Sequence, residues 1–257
     1  MNRQRGATMR AVDCDAVLFD LDGVLTDTAA VHEQAWKAMF TEVFDGFTRD
    51  GHAVAPYTIG DYFLYIDGKP RSEGVKAILA SRGLRLPQGE ASDDPALMTV
   101  SGLGNRKNDL FLRCVADHGV RLHRGAEEIL AWLDLQAIPK AVVSSSRNAD
   151  AVLRAAGLRD RIDVLVDGVV AAGLGLPGKP APDTYVHAAV QLGADPGRAM
   201  VVEDATSGAR AGRDGGFWVV GVDRGVGRDE LCDSGAHVVV GELDEIFADE
   251  RTPASAQ

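Results

Sequence analysis

Residues Asp15–Gly23 read DAVLFDLDG, a short apolar run that ends in two acids and a glycine. Ala16–Phe19 is too short for a helix of ordinary length and carries β-branched and aromatic residues, so it predicts a buried strand over 15–20. Asp20 and Asp22 then stand just past the carboxyl end of that strand, where α/β sheets bind their ligands, and Gly23 lets the chain turn away. Two neighbouring carboxylates are costly together unless a cation sits between them or one keeps its proton. Two arrangements satisfy that constraint. Both acids bind a metal, or one binds metal and attacks while the other carries a proton.

Working outward, Ala141–Ser144, Met200–Glu203 and Phe217–Val222 repeat the short apolar pattern, and Val238–Val240 predicts an edge strand. Helical spacing separates them. Ala126, Ile129, Leu130 and Leu133 share one face of a helix over 126–135, and Ala149–Ala156, Thr184–Leu192 and Thr206–Arg213 follow the same plan. Alternating strands and helices with short links predict an α/β fold, a Rossmann-like parallel sheet covered on both faces. Between the first and second of these strands lie far more residues than one crossover needs. Helical patterns begin near Thr28 and run through Trp36, Met39 and Phe40, then recur over Gly74–Ser81 and Arg106–His118. That length predicts an inserted α-helical domain over 31–122, with a core formed by 12–30 and 123–250 and loose termini at 1–11 and 251–257.

The chain of 257 residues carries 27 Lys and Arg against 38 Asp and Glu, a net charge of −11. Such a balance, with no dense basic cluster, argues against nucleic acid and anionic membrane as partners. An anionic substrate would need a divalent cation and a few well-placed Lys or Arg. Cys14, Cys114 and Cys232 are widely spaced and odd in number, which fits a reducing, cytoplasmic setting. No apolar run reaches the length of a membrane span.

Three further stations read as lying at successive strand ends. Ser144-Ser145-Ser146 closes the second core strand, where hydroxyls and N–H groups either hold phosphate oxygens or cap the following helix. Lys179 lies in GKPAPD, where an ammonium beside a proline can steady a nucleophile and a phosphate. Glu203-Asp204 ends MVVED and suits a hard divalent ion.

Together DLDGVLTDT, Ser144 after a strand, KPAPD and VEDATSG resemble the four motifs of the haloacid dehalogenase (HAD) superfamily over nearly the whole chain. The position of the insertion, with DLDGVLTDTAAVHEQAWKAM, RKND and SSSRN, resembles its β-phosphoglucomutase-like subgroup, which has a helical cap. The resemblance implies an HAD-like core and Mg²⁺-dependent phosphoryl transfer through an aspartyl phosphate. A sugar phosphomutase is the first expectation, a sugar- or polyol-phosphate phosphatase the second, and a phospho-receiver or binding module a remote third. It implies a sugar phosphate as the only partner of a monomer. By position, Asp20 matches the nucleophile and a Mg²⁺ ligand. Asp22 matches the general acid/base, its backbone carbonyl also on Mg²⁺. Glu203 and Asp204 match the remaining metal ligands, while Ser144 and Lys179 match phosphate holders. Arg71 matches a cap residue that grips the distal phosphate, with Arg147 and Asn148 beside it after Ser145 and Ser146. His32 and Lys107 match a polar pair that helps a sugar engage, and Asn108 follows them. Thr28 matches a hinge-side residue, and Thr28, His32 and Trp36 share a helix face. Extra residues at Glu42–Ala55 and Pro87–Thr99, YIDGKPR (Tyr65–Arg71), and a lengthened Gly-rich loop before Lys179, DGVVAAGLGLPG, depart from the pattern and bear on which sugar fits.

Overall fold

The computed structural model describes residues 13–66 and 71–246. The expected loose ends at 1–11 and 251–257, and residues 67–70 of YIDGKPR, lie outside them. The chain enters at β1 (Ala16–Phe19) and turns through β2 (Thr26–Asp27). It then runs through α1 (Ala29–Arg49), a short turn α2 (Ile59–Asp61) that opens into a π-type stretch at Tyr62–Ile66, α3 (Arg71–Ser81) and α4 (Val100–His118). It returns at β3 (Arg121–Leu122), followed by α5 (Ala126–Leu135), β4 (Lys140–Val143), α6 (Ala149–Ala155), β5 (Val164–Val166), α7 (Gly168–Leu174) and α8 (Asp183–Leu192). β6 (Ala199–Glu203), α9 (Thr206–Asp214), β7 (Trp218–Val222), α10 (Arg228–Ser234) and β8 (Val238–Val240) complete the described chain. Two compact units result: Thr28–Gly119, and the described residues on either side of it.

The core unit holds a six-stranded sheet ordered β5-β4-β1-β6-β7-β8, every pairing parallel. β1 lies inside, paired with β4 (Phe19 opposite Val142) and with β6 (Phe19 opposite Val202). All four of its residues are buried, as a strand covered on both faces requires. Ala16 and Leu18 join Ala141, Val143 and Val201 in one layer of core with Tyr185, Ala188 and Ala189 of α8 and Ala209 of α9. The chain passes from one half of the sheet to the other beside β1, which is the switch point where such sheets open a crevice at their carboxyl ends.

The second unit has its own core. Trp36, Met39, Phe40, Val43 and Phe44 recur at helical spacing on one face of α1 and pack with Tyr57, Ile66, Val75, Ile78, Leu79, Val100 and Leu103.

Four expectations need correction. The stretch before Lys179 is mostly helix: Asp167 caps it, its carboxylate accepting from the Val169 and Val170 N–H groups, and α7 forms despite the four glycines of the stretch. The strand β5 had no counterpart in the sequence pattern, because VLV is three residues long and two of them are half-buried. The helix expected from Arg106 starts six residues earlier, at Val100, where the Thr99 hydroxyl accepts from Gly102 N–H. Lys179 is carried by the loop entering α8 rather than by a strand end. The extra residues at Pro87–Thr99 are pinned to the start of α4. Val100 N–H donates to Pro87 O, Asn105 to Ala91 O and Asp93 O, and Arg106 to Pro95 O and Ala96 O.

Phe40 is fully buried and stacks with Trp36, Phe44 and Tyr57. Phe40→Ala is expected to cost the second unit about 3–5 kcal/mol, read by denaturant unfolding, because the cavity left behind cannot collapse among the three remaining rings.

Candidate active site

Backbone geometry brings the acids together. Asp20 N–H donates to Val202 O (2.9 Å) and Ser144 N–H to Val166 O (3.0 Å), which hold the ends of β1 and β4 to their neighbours. After Asp20 the chain makes a tight turn. Gly23 N–H donates to Thr26 O, Leu25 and Thr26 N–H both donate to Leu21 O, and Asp22 bridges to Thr26. Gly23 has φ +89°, and a Cβ there would lie 2.0 Å from Asp204 Oδ2. Glycine is therefore required both by the backbone and by the acid packed against it.

Lys179 Nζ occupies the centre. It donates to Asp20 Oδ1 (2.5 Å), Glu203 Oε1 (2.6 Å) and Val143 O (2.8 Å), which engages all three of its protons. Glu203 is itself surrounded by donors. Oε1 also accepts from Tyr185 Oη (2.9 Å), and Oε2 accepts from the Asp204 and Ala205 N–H groups. A Cβ at Gly208 would fall 1.7 Å from Oε1, so this helix must pass with a glycine for the carboxylate to fit.

These groups are buried, and their proton affinities follow. Burial, together with Glu203, Asp204 and Asp22, raises Asp20 well above the usual carboxylate range, although Lys179 opposes the shift. Burial and the Glu203 charge push Asp204 up to about 7. Burial disfavours the Lys179 ammonium, but Asp20 and Glu203 outweigh it and hold its pKa well above the ordinary lysine value. One lysine thus meets two carboxylates directly, with Asp204 close by. Asp20, Glu203 and Asp204 each offer an oxygen within 4.8 Å of the others. An all-oxygen, negatively overcharged, buried donor set fits a hard divalent cation.

Of the serine run, Ser144 is buried and its hydroxyl accepts from Ser146 N–H (3.0 Å), while the Ser146 hydroxyl accepts from Asn148 N–H (3.1 Å). Asn148 stands at the start of α6, and Arg147 packs where Gly168 approaches. Ser145 is exposed.

The second unit gathers its own polar cluster. Thr28 is buried just before α1, its carbonyl accepting from His32 N–H. Lys107 is buried in α4 with Nζ 2.6 Å from His32 Nδ1, between the rings of Trp36 and Phe111. His32 stacks on Phe111 (4.3 Å), and Arg71 Nη2 donates to Asn108 Oδ1 (2.8 Å). Burial, then Lys107 and Arg71, lower the His32 pKa to about 3. The ring is neutral, accepting the lysine proton on Nδ1.

Sequence reasoning missed Tyr185 and Gly208. Tyr185 sits among apolar neighbours in α8 and its hydroxyl leaves no trace in the spacing. The glycine of VEDATSG was visible as a helix-disfavouring residue in a first turn.

A profile of haloacid dehalogenase-like hydrolases matches residues 14–216. The chain belongs to that family. It is an enzyme of HAD type. It is 44% identical over 239 residues to a β-phosphoglucomutase of Mycobacterium tuberculosis, covering 90% of this chain and 91% of the relative. A β-phosphoglucomutase of Bacillus subtilis is 31% identical over 211 residues, 82% of this chain and 84% of the relative. In three dimensions the chain is similar to a HAD family hydrolase of Deinococcus radiodurans solved with bound phosphate and sodium: TM-score 0.67, 28% identity, 93% of this chain and 96% of that one. No described helix is long and apolar enough to cross a membrane.

His32 supplies a test. Its pKa lies below the ordinary 6.5, so its contribution to stability is present above about pH 6.5 and is lost as pH falls toward 3. NMR titration should show the imidazole neutral at pH 5. Lys107→Met should raise its pKa part of the way back toward 6.5, since burial and Arg71 remain.

Proposed function

We propose that this chain is a Mg²⁺-dependent β-phosphoglucomutase that converts β-glucose 1-phosphate to glucose 6-phosphate through a phosphoryl group carried on Asp20. The observation that carries the reading is the buried Asp20–Lys179–Glu203 grouping with Asp204 beside it. The 44% identity to a β-phosphoglucomutase along nine-tenths of the chain supports the sugar.

In this reading Lys179 fixes the Asp20 carboxylate for in-line attack on phosphorus. The bond from phosphorus to the sugar oxygen breaks as the Asp22 carboxyl gives that oxygen its proton. In the second half, a hydroxyl of the bound sugar phosphate attacks the aspartyl phosphate, Asp22 takes the hydroxyl proton, and Asp20 is released as carboxylate. Ser144 and Lys179 hold phosphoryl oxygens. Asp20, Glu203, Asp204 and the Asp22 carbonyl would hold Mg²⁺, which supplies the positive charge that keeps these acids ionised and offsets the phosphate. The helical unit serves as the cap. Arg71, with Arg147 and Asn148, takes the distal phosphate, and His32, Trp36, Lys107 and Asn108 meet the sugar. A sugar-phosphate phosphatase shares the first half-reaction and differs in letting water attack the phosphoenzyme.

Glucose 6-phosphate formation from β-glucose 1-phosphate, followed with a coupled dehydrogenase and primed by the 1,6-bisphosphate, is the discriminating assay. Release of free phosphate without isomerisation would replace the mutase by the phosphatase. Asp22→Asn should lower turnover about 10²–10⁴-fold, the usual worth of a general acid/base. Chelation by EDTA should abolish turnover, and Mg²⁺ should restore it better than Ca²⁺, which favours longer bonds and higher coordination.

A further inference from the structure

The Asp22 turn is gripped from a distant part of the chain. Arg224, in the loop after β7, donates from Nε to Gly23 O (3.0 Å) and from Nη1 to Gly241 O (3.1 Å) and Glu242 Oε2 (3.1 Å). Its guanidinium thereby ties the turn after β1 to the loop after β8. The loop that presents it is itself fixed: Asp223 N–H donates to Val240 O, and the Asp223 carboxylate accepts from the Gly225 and Gly227 N–H groups.

Two features indicate more than general stabilisation. Arg224 Nη2 is buried and meets no acceptor among the described residues, a desolvation cost that packing alone would select against. Gly23 is also held on its other side, where its Cα lies against the Asp204 carboxylate. The carbonyl that Arg224 grips belongs to the residue directly after Asp22, so the fork sets how far the Asp22 backbone stands from Asp20 and Asp204. A lysine in its place offers a single point of donation and cannot span Gly23 and Gly241 together.

We propose that Arg224 is a positioning residue for proton transfer: by anchoring the Gly23 carbonyl it holds Asp22 where its carboxyl reaches the sugar oxygen. The inference rests on the acid/base reading of Asp22. It separates two kinds of phosphoryl donor. A sugar phosphate loses a strongly basic alkoxide and needs the Asp22 proton. Acetyl phosphate transfers its phosphoryl group to Asp20 and loses acetate, which needs none.

Arg224→Ala is therefore expected to lower kcat for the sugar phosphate about 10–100-fold, with KM changed less than about twofold, as for a small misplacement of a reacting group. The rate of Asp20 phosphorylation by acetyl phosphate should stay within about twofold of wild type, since that step bypasses general-acid catalysis. Arg224→Lys keeps the charge and one point of donation, which can reach Gly23 O without Gly241. It carries the same comparison if the alanine variant fails to fold, with a smaller fall in kcat. Equal losses with both donors, or no loss with either, overturn the proposal. Asp22→Asn, run in parallel, tests the underlying reading separately: if it too fails to discriminate the donors, the acid/base role of Asp22 falls, whatever Arg224 does.

Discussion

One buried ammonium group holds the site together. Lys179 Nζ joins the end of β1 through Asp20, the end of β4 through the Val143 carbonyl and the end of β6 through Glu203. These are three adjacent strands of one parallel sheet, so the lysine reports their alignment directly. Burying so many acids in low dielectric is unfavourable without compensation, and a single cation compensates only part of it. The raised proton affinities of Asp20 and Asp204 express what remains. The site is thus built under electrostatic tension, which a bound cation and a transferred phosphoryl group would balance against one another.

The neighbours of that lysine divide into groups that present chemistry and groups that hold them still. Glu203 is enclosed by two side-chain donors and two backbone N–H groups, with Gly208 clearing the space it fills. Tyr185 belongs to both worlds: its ring packs in the apolar layer under the sheet and its hydroxyl reaches the carboxylate. Asp22 depends on a tight turn that is closed by backbone bonds from the Gly23, Leu25 and Thr26 N–H groups.

Much of this was legible from residue order. The strand ending in Asp20, the acids after β6 and the central sheet follow from short apolar runs separated by helical spacing. What resisted reading did so for physical reasons. β5 is too short to show a period, and α7 forms in a glycine-rich stretch because Asp167 caps it. The early start of α4 rests on Thr99, a signal that lies outside the apolar pattern. Tyr185 and Arg224 act through bonds to residues 18 and 201 positions away, and no local spacing encodes such reach. His32 and Lys107, 75 apart, were linked by resemblance rather than by periodicity.

The small ribbon of β2 and β3 has a consequence for the chain's history. Thr26 pairs with Leu122 and Asp27 with Arg121, so the two ends of the helical insertion leave the sheet side by side. Antiparallel partners lie only about 5 Å apart at their Cα atoms, a gap that a short hairpin also closes. The junction is a socket: segments of very different size can be exchanged there without disturbing the strand that bears Asp20, provided their ends meet.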